Sequence, residues 1–248
     1  MRRWTCETGS DRSVAVNLLM PFLRRSHADV CIESRIDLAV LAFVMYWALQ
    51  RWLTEHGVSG RTHRRVTLAL TFLRRALEVA RGRPALLEGG IAGADDTRAA
   101  LAAGAAGVVA GTRFLLTDEA GAHPECQRRI LGADKTCRTT LFGLGWPAPH
   151  RVVANAATRR WCRDDGRAKL EPRLINAGSR MLASLPDGAI MPTKRMQTPD
   201  LPMFSPIAPT IGMPDSAVDR TALYAGETVL RMTSVISARQ AVTDLTPR

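Results

Sequence analysis

Residues 84–116, PALLEGGIAGADDTRAALAAGAAGVVAGTRFLL, restrict the fold more than any other stretch. Two uninterrupted apolar runs, each ending in glycine, flank an Ala-rich segment. Strands covered on both faces read as continuous apolar runs, whereas a strand with one wet face alternates. Asp95–Asp96 are placed to cap and open a helix, and Gly104 to end it. The reading is a βαβ unit, PALLEGG then helix then GVVAGTRF. A right-handed crossover carries the strand ends Gly89–Gly90 and Gly111–Thr112 to the same edge of the sheet.

The remainder of the first half follows the same alternation. Residues 13–21 (SVAVNLLMP) read as a buried strand and 36–45 as a second. Residues 46–56 have helical spacing. Residues 66–80 form an amphipathic helix closed by Gly82 and Pro84. Thr117 is positioned to cap a further helix through TDEAGAHPECQRRIL. Beyond about residue 140 the chain turns rich in Pro, Gly, Met and Arg, with an extended polar middle (186–218). The final segment, TALYAGETVLRMTSVISARQAVTDL, reads as helical. The fold class expected is α/β, a parallel β/α fold derived from a TIM-type barrel. Residues 1–140 would form its incomplete barrel part and 141–248 an irregular and helical covering segment of the same domain.

Composition narrows the partners. The net charge is +11, from 34 Lys+Arg against 23 Asp+Glu, and a basic chain favours phosphate. The arginines fall in scattered pairs without interleaved aromatics, so solvated helix faces explain them and specific nucleic-acid binding is not expected. Five cysteines, with no CxxC, read as reduced thiols in a cytoplasmic protein, and no metal site is expected. The apolar stretch Leu38–Leu49 is twelve residues, short of the ~20 that cross a bilayer, so no membrane contact is expected.

The chemistry points to the two glycine-bearing strand ends. Glycine lets a backbone N–H approach an anion closely. In α/β barrels, late βα loops and a short helix N-terminus form a recurrent phosphate site. Gly89, Gly90, Gly111 and the hydroxyl of Thr112 are the candidate ligands. The competing reading is that these glycines only permit tight turns.

The wording of GGIAGADDTRAALAAGAAGVVAGTRFLLTDEAGAHPECQRRIL resembles the FMN-phosphate half of the nitronate monooxygenases, formerly called 2-nitropropane dioxygenases. The family's GGI, Ala-rich helix, GTRF and E-A-x-x-H-P follow in order. VAVNLLMPFLRR resembles an early family strand, TTLFGLGWPAPHRVVANAATRRW a middle segment, and ALYAGETV the family's YAG segment near the C-terminus. The resemblance implies an FMN-dependent oxidoreductase that uses oxygen to denitrify alkyl nitronates. Gly89, Gly90, Gly111 and Thr112 would hold the phosphate, and Asn17 would lie under the ring system. For Tyr224 two readings stand, lining the substrate side of the flavin or packing as a helix aromatic. A flavin-dependent enoyl-thioester reductase shares the phosphate half and is the alternative within flavin barrels. A non-catalytic relative without flavin is the alternative outside them.

Three departures qualify the resemblance. The family's opening strands have no counterpart before Ser13. The chain passes from LTEHGV directly to SGRTHRR, where the family carries a βα unit and a strand with G-x-E-A-G-G-H. His63 is the candidate remnant of that motif's catalytic histidine, with an exposed loop histidine as the competing reading. Glu88 stands where the family has a small residue, and a carboxylate beside a phosphate is repulsive unless an Arg offsets it. Roughly four to six barrel strands are then expected against the eight of a closed barrel. Open sheet edges make self-association an expectation too.

Overall fold

A computed structural model describes residues 15–18, 38–41, 70, 73–74, 76–78, 84–145, 148–179 and 197–247. The chain divides into two compact units, residues 1–60 and 61–248. In the first, strands β1 (Ala15–Leu18) and β2 (Leu38–Leu41) pair in parallel, Asn17 opposite Val40. Both strands fall inside the apolar runs read from the sequence.

The second unit opens on helical residues around Leu73, which is buried while Arg74 and Glu78 are exposed. That is the amphipathic pattern expected of residues 66–80. Strand β3 (Leu86–Glu88), helix α1 (Ala94–Ala102) and strand β4 (Gly107–Val109) follow. β3 and β4 pair in parallel with Glu88 opposite Val109, so the βαβ unit stands. Leu73, Leu87, Ile91, Ala100, Ala105 and Leu245 pack together over it.

Two helix starts differ from the sequence reading. GVVAGTRF is not one strand: β4 stops at Val109, and helix α2 (Thr112–Leu115) begins with Gly111 as its N-cap. The next helix, α3 (Pro124–Leu131), is capped by His123, not by Thr117. The His123 Nδ1 accepts from the Glu125 N–H at 3.2 Å, and Pro124 occupies the first helical position, where a missing N–H costs nothing. Thr117 instead bridges Ile236 and its hydroxyl donates to the Phe114 carbonyl at 2.9 Å.

Beyond residue 131 an antiparallel pair, β5 (Cys137–Thr139) and β6 (His150–Val152), leads to helices α4 (Ala156–Trp161) and α5 (Leu170–Gly178). The final segment is not one helix. Tyr224 bridges Val152, residues Glu227–Arg231 form a 3-10 turn, and only Ala238–Leu245 (α6) is α-helical. Two apolar clusters hold this part. One joins Leu116, Cys126 and Ile130 to Val218, Leu223, Val229 and Met232; the other joins Phe142, Val152, Ala157 and Phe204.

The architecture is a partial α/β fold of barrel type, with parallel strands and no closed barrel among the described residues. Among the described residues, no helix is long and apolar enough to cross a membrane, and no group of His, Cys, Asp and Glu is placed to hold a metal ion. Cys126, Cys137 and Cys162 are free thiols.

Candidate functional site

The register of β3 with β4 sets the two glycine-bearing ends side by side, since Glu88 and Val109 face each other one step before Gly89 and Ala110. Gly89 and Gly90 have φ of +94° and +83°. Two successive left-handed residues cost an L side chain about 1–2 kcal/mol each, which explains glycine at both. Gly111 is different. Its φ is −89° and a Cβ there would meet nothing within 4 Å. The protein itself places no steric or backbone demand for glycine at 111. The open space in front of it is what a close-approaching ligand would need.

Thr112 begins α2, and its N–H and that of Arg113 have no acceptor within the helix. The Thr112 hydroxyl oxygen accepts from the Gly226 N–H at 2.9 Å. That bond uses one of the oxygen's two lone pairs and leaves the hydroxyl proton to donate elsewhere. Space at Gly226 is tight, since a Cβ there would come within 3.2 Å of the Thr112 hydroxyl.

A third strand of contact comes from the same C-terminal segment. The Arg231 Nη2 donates to the Gly90 carbonyl at 2.8 Å, and its guanidinium pairs with Asp96 at 3.0 and 3.1 Å. Asp96 is the third residue of α1, and its Oδ2 accepts from the N–H groups of Ala92 at 2.7 Å and Gly93 at 3.2 Å. The N-cap of α1 is Gly93, so the acidic pair does not cap from outside, as the sequence suggested; Asp96 reaches back from within. Asp95 pairs with Arg98 on the exposed side. Glu88 lies at the β3 end and is exposed as a residue, while desolvation of its carboxyl pushes the pKa above the usual carboxylate range.

The structure thus brings Gly89, Gly90, Gly111 and Thr112 to one edge. Asn17 belongs to the separate first unit, with its backbone in β1. His63 lies outside the described residues. Arg113, which follows Thr112 in the GTRF stretch, turns inward. It is buried, and its Nη2 donates to the carbonyls of Leu116 at 2.7 Å and Ser234 at 2.8 Å. Tyr224 is not on a helix; its ring packs edge-on against His150 at 5.6 Å. Sequence reading did not single out Asp96, Gly226 or Arg231 as site residues. Gly226 lay in the YAG segment and was findable there. The Asp96–Arg231 pair spans 135 positions and carries no local signal.

Residues 56–248 match the family model described as nitronate monooxygenase. The chain is 43% identical over 89 residues to a nitronate monooxygenase, npaC, of Metarhizium robertsii, a match covering 32% of this chain and 25% of that protein. The match therefore spans a quarter of the curated relative's length. Among solved structures the chain is similar to FabK from Thermotoga maritima, with a TM-score of 0.52, 20% identity, 95% of this chain and 75% of that chain covered. At that identity the likeness concerns the fold. A nitroalkane oxidase from Streptomyces ansochromogenes has a TM-score of 0.46 and 25% identity over 71% of this chain and 42% of its own.

Proposed function

Because the chain belongs to the nitronate monooxygenase family of oxidoreductases, we propose that it binds FMN at the β3–β4 edge and oxidises small alkyl nitronates with oxygen. FMN, when bound, supplies the electron chemistry, and the protein supplies binding, orientation and electrostatics.

The chain's own residues divide that work. The left-handed Gly89–Gly90 turn and Gly111 bring backbone close to the phosphate. Thr112 donates its hydroxyl proton, having its oxygen already fixed by Gly226. The N–H groups that open α2 face the same charge. Tyr224 lines the substrate side in this reading, and His63 is the candidate base for the nitronate. The site works in a cytoplasmic, membrane-free setting. The observation that carries the proposal is Gly111, an unstrained position with open space ahead of it, beside a threonine hydroxyl with a proton to give.

Gly111→Asp tests it. The backbone angle suits any residue and the Cβ meets nothing, so the fold should hold, while a carboxylate would sit where the phosphate belongs. The wild-type chain is expected to show a bound-flavin absorption spectrum with FMN, and oxygen uptake with a primary nitronate. The variant is expected to lose the spectrum with an unchanged melting temperature. A folded wild-type sample that takes up no FMN would leave a non-catalytic relative as the reading.

A further inference from the structure

The Gly89–Gly93 loop is held by two side chains that arrive from opposite ends of the second unit. We propose that Arg231 and Asp96 form a positioning pair for the anion loop, one that sets its backbone for a phosphate monoester and offsets the carboxylate charge there. The inference rests on the phosphate reading of the β3–β4 edge.

Between them the two groups engage three nearby peptide groups: the Gly90 carbonyl, the Ala92 N–H and the Gly93 N–H. A peptide group is planar, with its C=O and N–H pointing opposite ways. Fixing the Gly90 carbonyl on Arg231 therefore turns the Ile91 N–H away from the guanidinium. Gly89 and Gly90 are the residues with most backbone freedom to lose. A loop that begins with two of them needs an external restraint to hold one set of N–H directions, and Arg231 is that restraint.

Charge argues the same way. The Asp96 side chain is 10% exposed, and a carboxylate that buried would oppose an incoming dianion. Its two bonds to Arg231 neutralise it. The Arg231 side chain is 49% exposed, and a guanidinium has five N–H donors, so donors remain on its open side. Asp96 also takes the Ala92 and Gly93 N–H groups for itself. What the loop loses in donors at the start of α1 it regains as the remaining N–H groups of a fixed guanidinium.

A purely structural role is the competing account: Arg231 would only tether the 3-10 turn Glu227–Arg231 to α1. FMN and riboflavin separate the two, because they share the ring system and differ by the phosphate. Each is titrated by fluorescence quenching into wild type, Arg231→Gln and Arg231→Lys, with thermal melts establishing that each variant is folded. Losing a charge-assisted contact set should weaken FMN about 10–100-fold in Arg231→Gln and leave riboflavin within about twofold. Arg231→Lys keeps the charge but cannot bridge Gly90 and Asp96 with one planar fork, so it should show the same selective loss to a smaller degree, about 3–10-fold. Equal losses for both ligands, or none for FMN, overturn the positioning role while leaving the phosphate site intact. A wild-type protein that binds riboflavin as well as FMN overturns the phosphate site itself, and this inference with it.

Discussion

His150 is the residue whose chemistry the structure fixes most closely. Its Nδ1 lies 3.0 Å from the Ala148 carbonyl, which can only accept, so Nδ1 carries the proton in the neutral ring. Nε2 is then a lone pair, and it is buried without a protein partner. Phe142 and Tyr224 flank the ring at 5.8 and 5.6 Å. Burial lowers the imidazolium pKa to about 4, with the Ala148 contact opposing. The folded value is below the ordinary 6.5, so the unfolded chain takes up the proton first. The stability tied to the neutral ring is whole above pH 6.5 and drains as pH falls toward 4, by up to about 3 kcal/mol. The wild-type melting temperature should therefore fall more steeply than that of His150→Phe between about pH 7 and pH 4.5. Parallel slopes would show that this ring is not the acid-sensitive group. Glu125 acts in a different range, its carboxyl drawn down to about 2 by hydrogen bonds from Arg128 and then Arg129, and it stays charged throughout that window.

At the scale of elements, the start of α4 shows what a cap can join. Asn155 is fully buried. Its Oδ1 accepts from the Thr158 N–H at 3.0 Å, and its Nδ2 donates to the carbonyls of Val218 at 2.9 Å and Thr221 at 2.8 Å. One side chain thus caps α4 and ties it to the 3-10 turn Asp215–Asp219. Asn155→Ala should cost about 2–4 kcal/mol in urea unfolding, more than a surface cap, because two carbonyls lose a buried donor. Asn155→Asp keeps the cap acceptor and loses the donor, so it should be nearly as damaging. Wild-type stability in the Asp variant would mean the two carbonyls do not need it. Asn155 with Thr158 is a capping signature three residues apart, and it was there to be read in the sequence. The βαβ unit was legible for a related reason: apolar runs, caps and glycines are local signals. Pairing of β5 with β6, and the bridge from Tyr224 to Val152, were not. Those strands are three residues each, and partners 72 positions apart impose no shared local pattern. Thr117 misled because its side chain suits an N-cap, while its backbone was already committed to Ile236.

At the scale of the second unit, the C-terminal segment and the β3–β4 edge are one structure. Gly226 meets Thr112, Arg231 meets Gly90 and Asp96, Ile236 meets Thr117, and Leu245 of α6 closes the cluster over Leu87 and Ile91. The buried Arg113 sits at the hinge of this arrangement. Desolvation lowers its pKa, Asp244 works against that, and its Nε has no partner. What keeps it is the pair of carbonyls, Leu116 just past the end of α2 and Ser234 on the C-terminal segment. Removing it leaves both carbonyls unmet and opens a space under α2. Arg113→Ala should lower stability by about 2–4 kcal/mol, the cost of leaving two buried carbonyls without their donor. The more telling readout is where protection is lost. If the segment and the sheet edge unfold together, amide exchange in Arg113→Ala should speed up in residues 226–245 and in α1 alike. Faster exchange confined to residues 226–245 would instead make the C-terminal segment an independent cover, and the site at Gly89–Gly90 would then hold its shape without it.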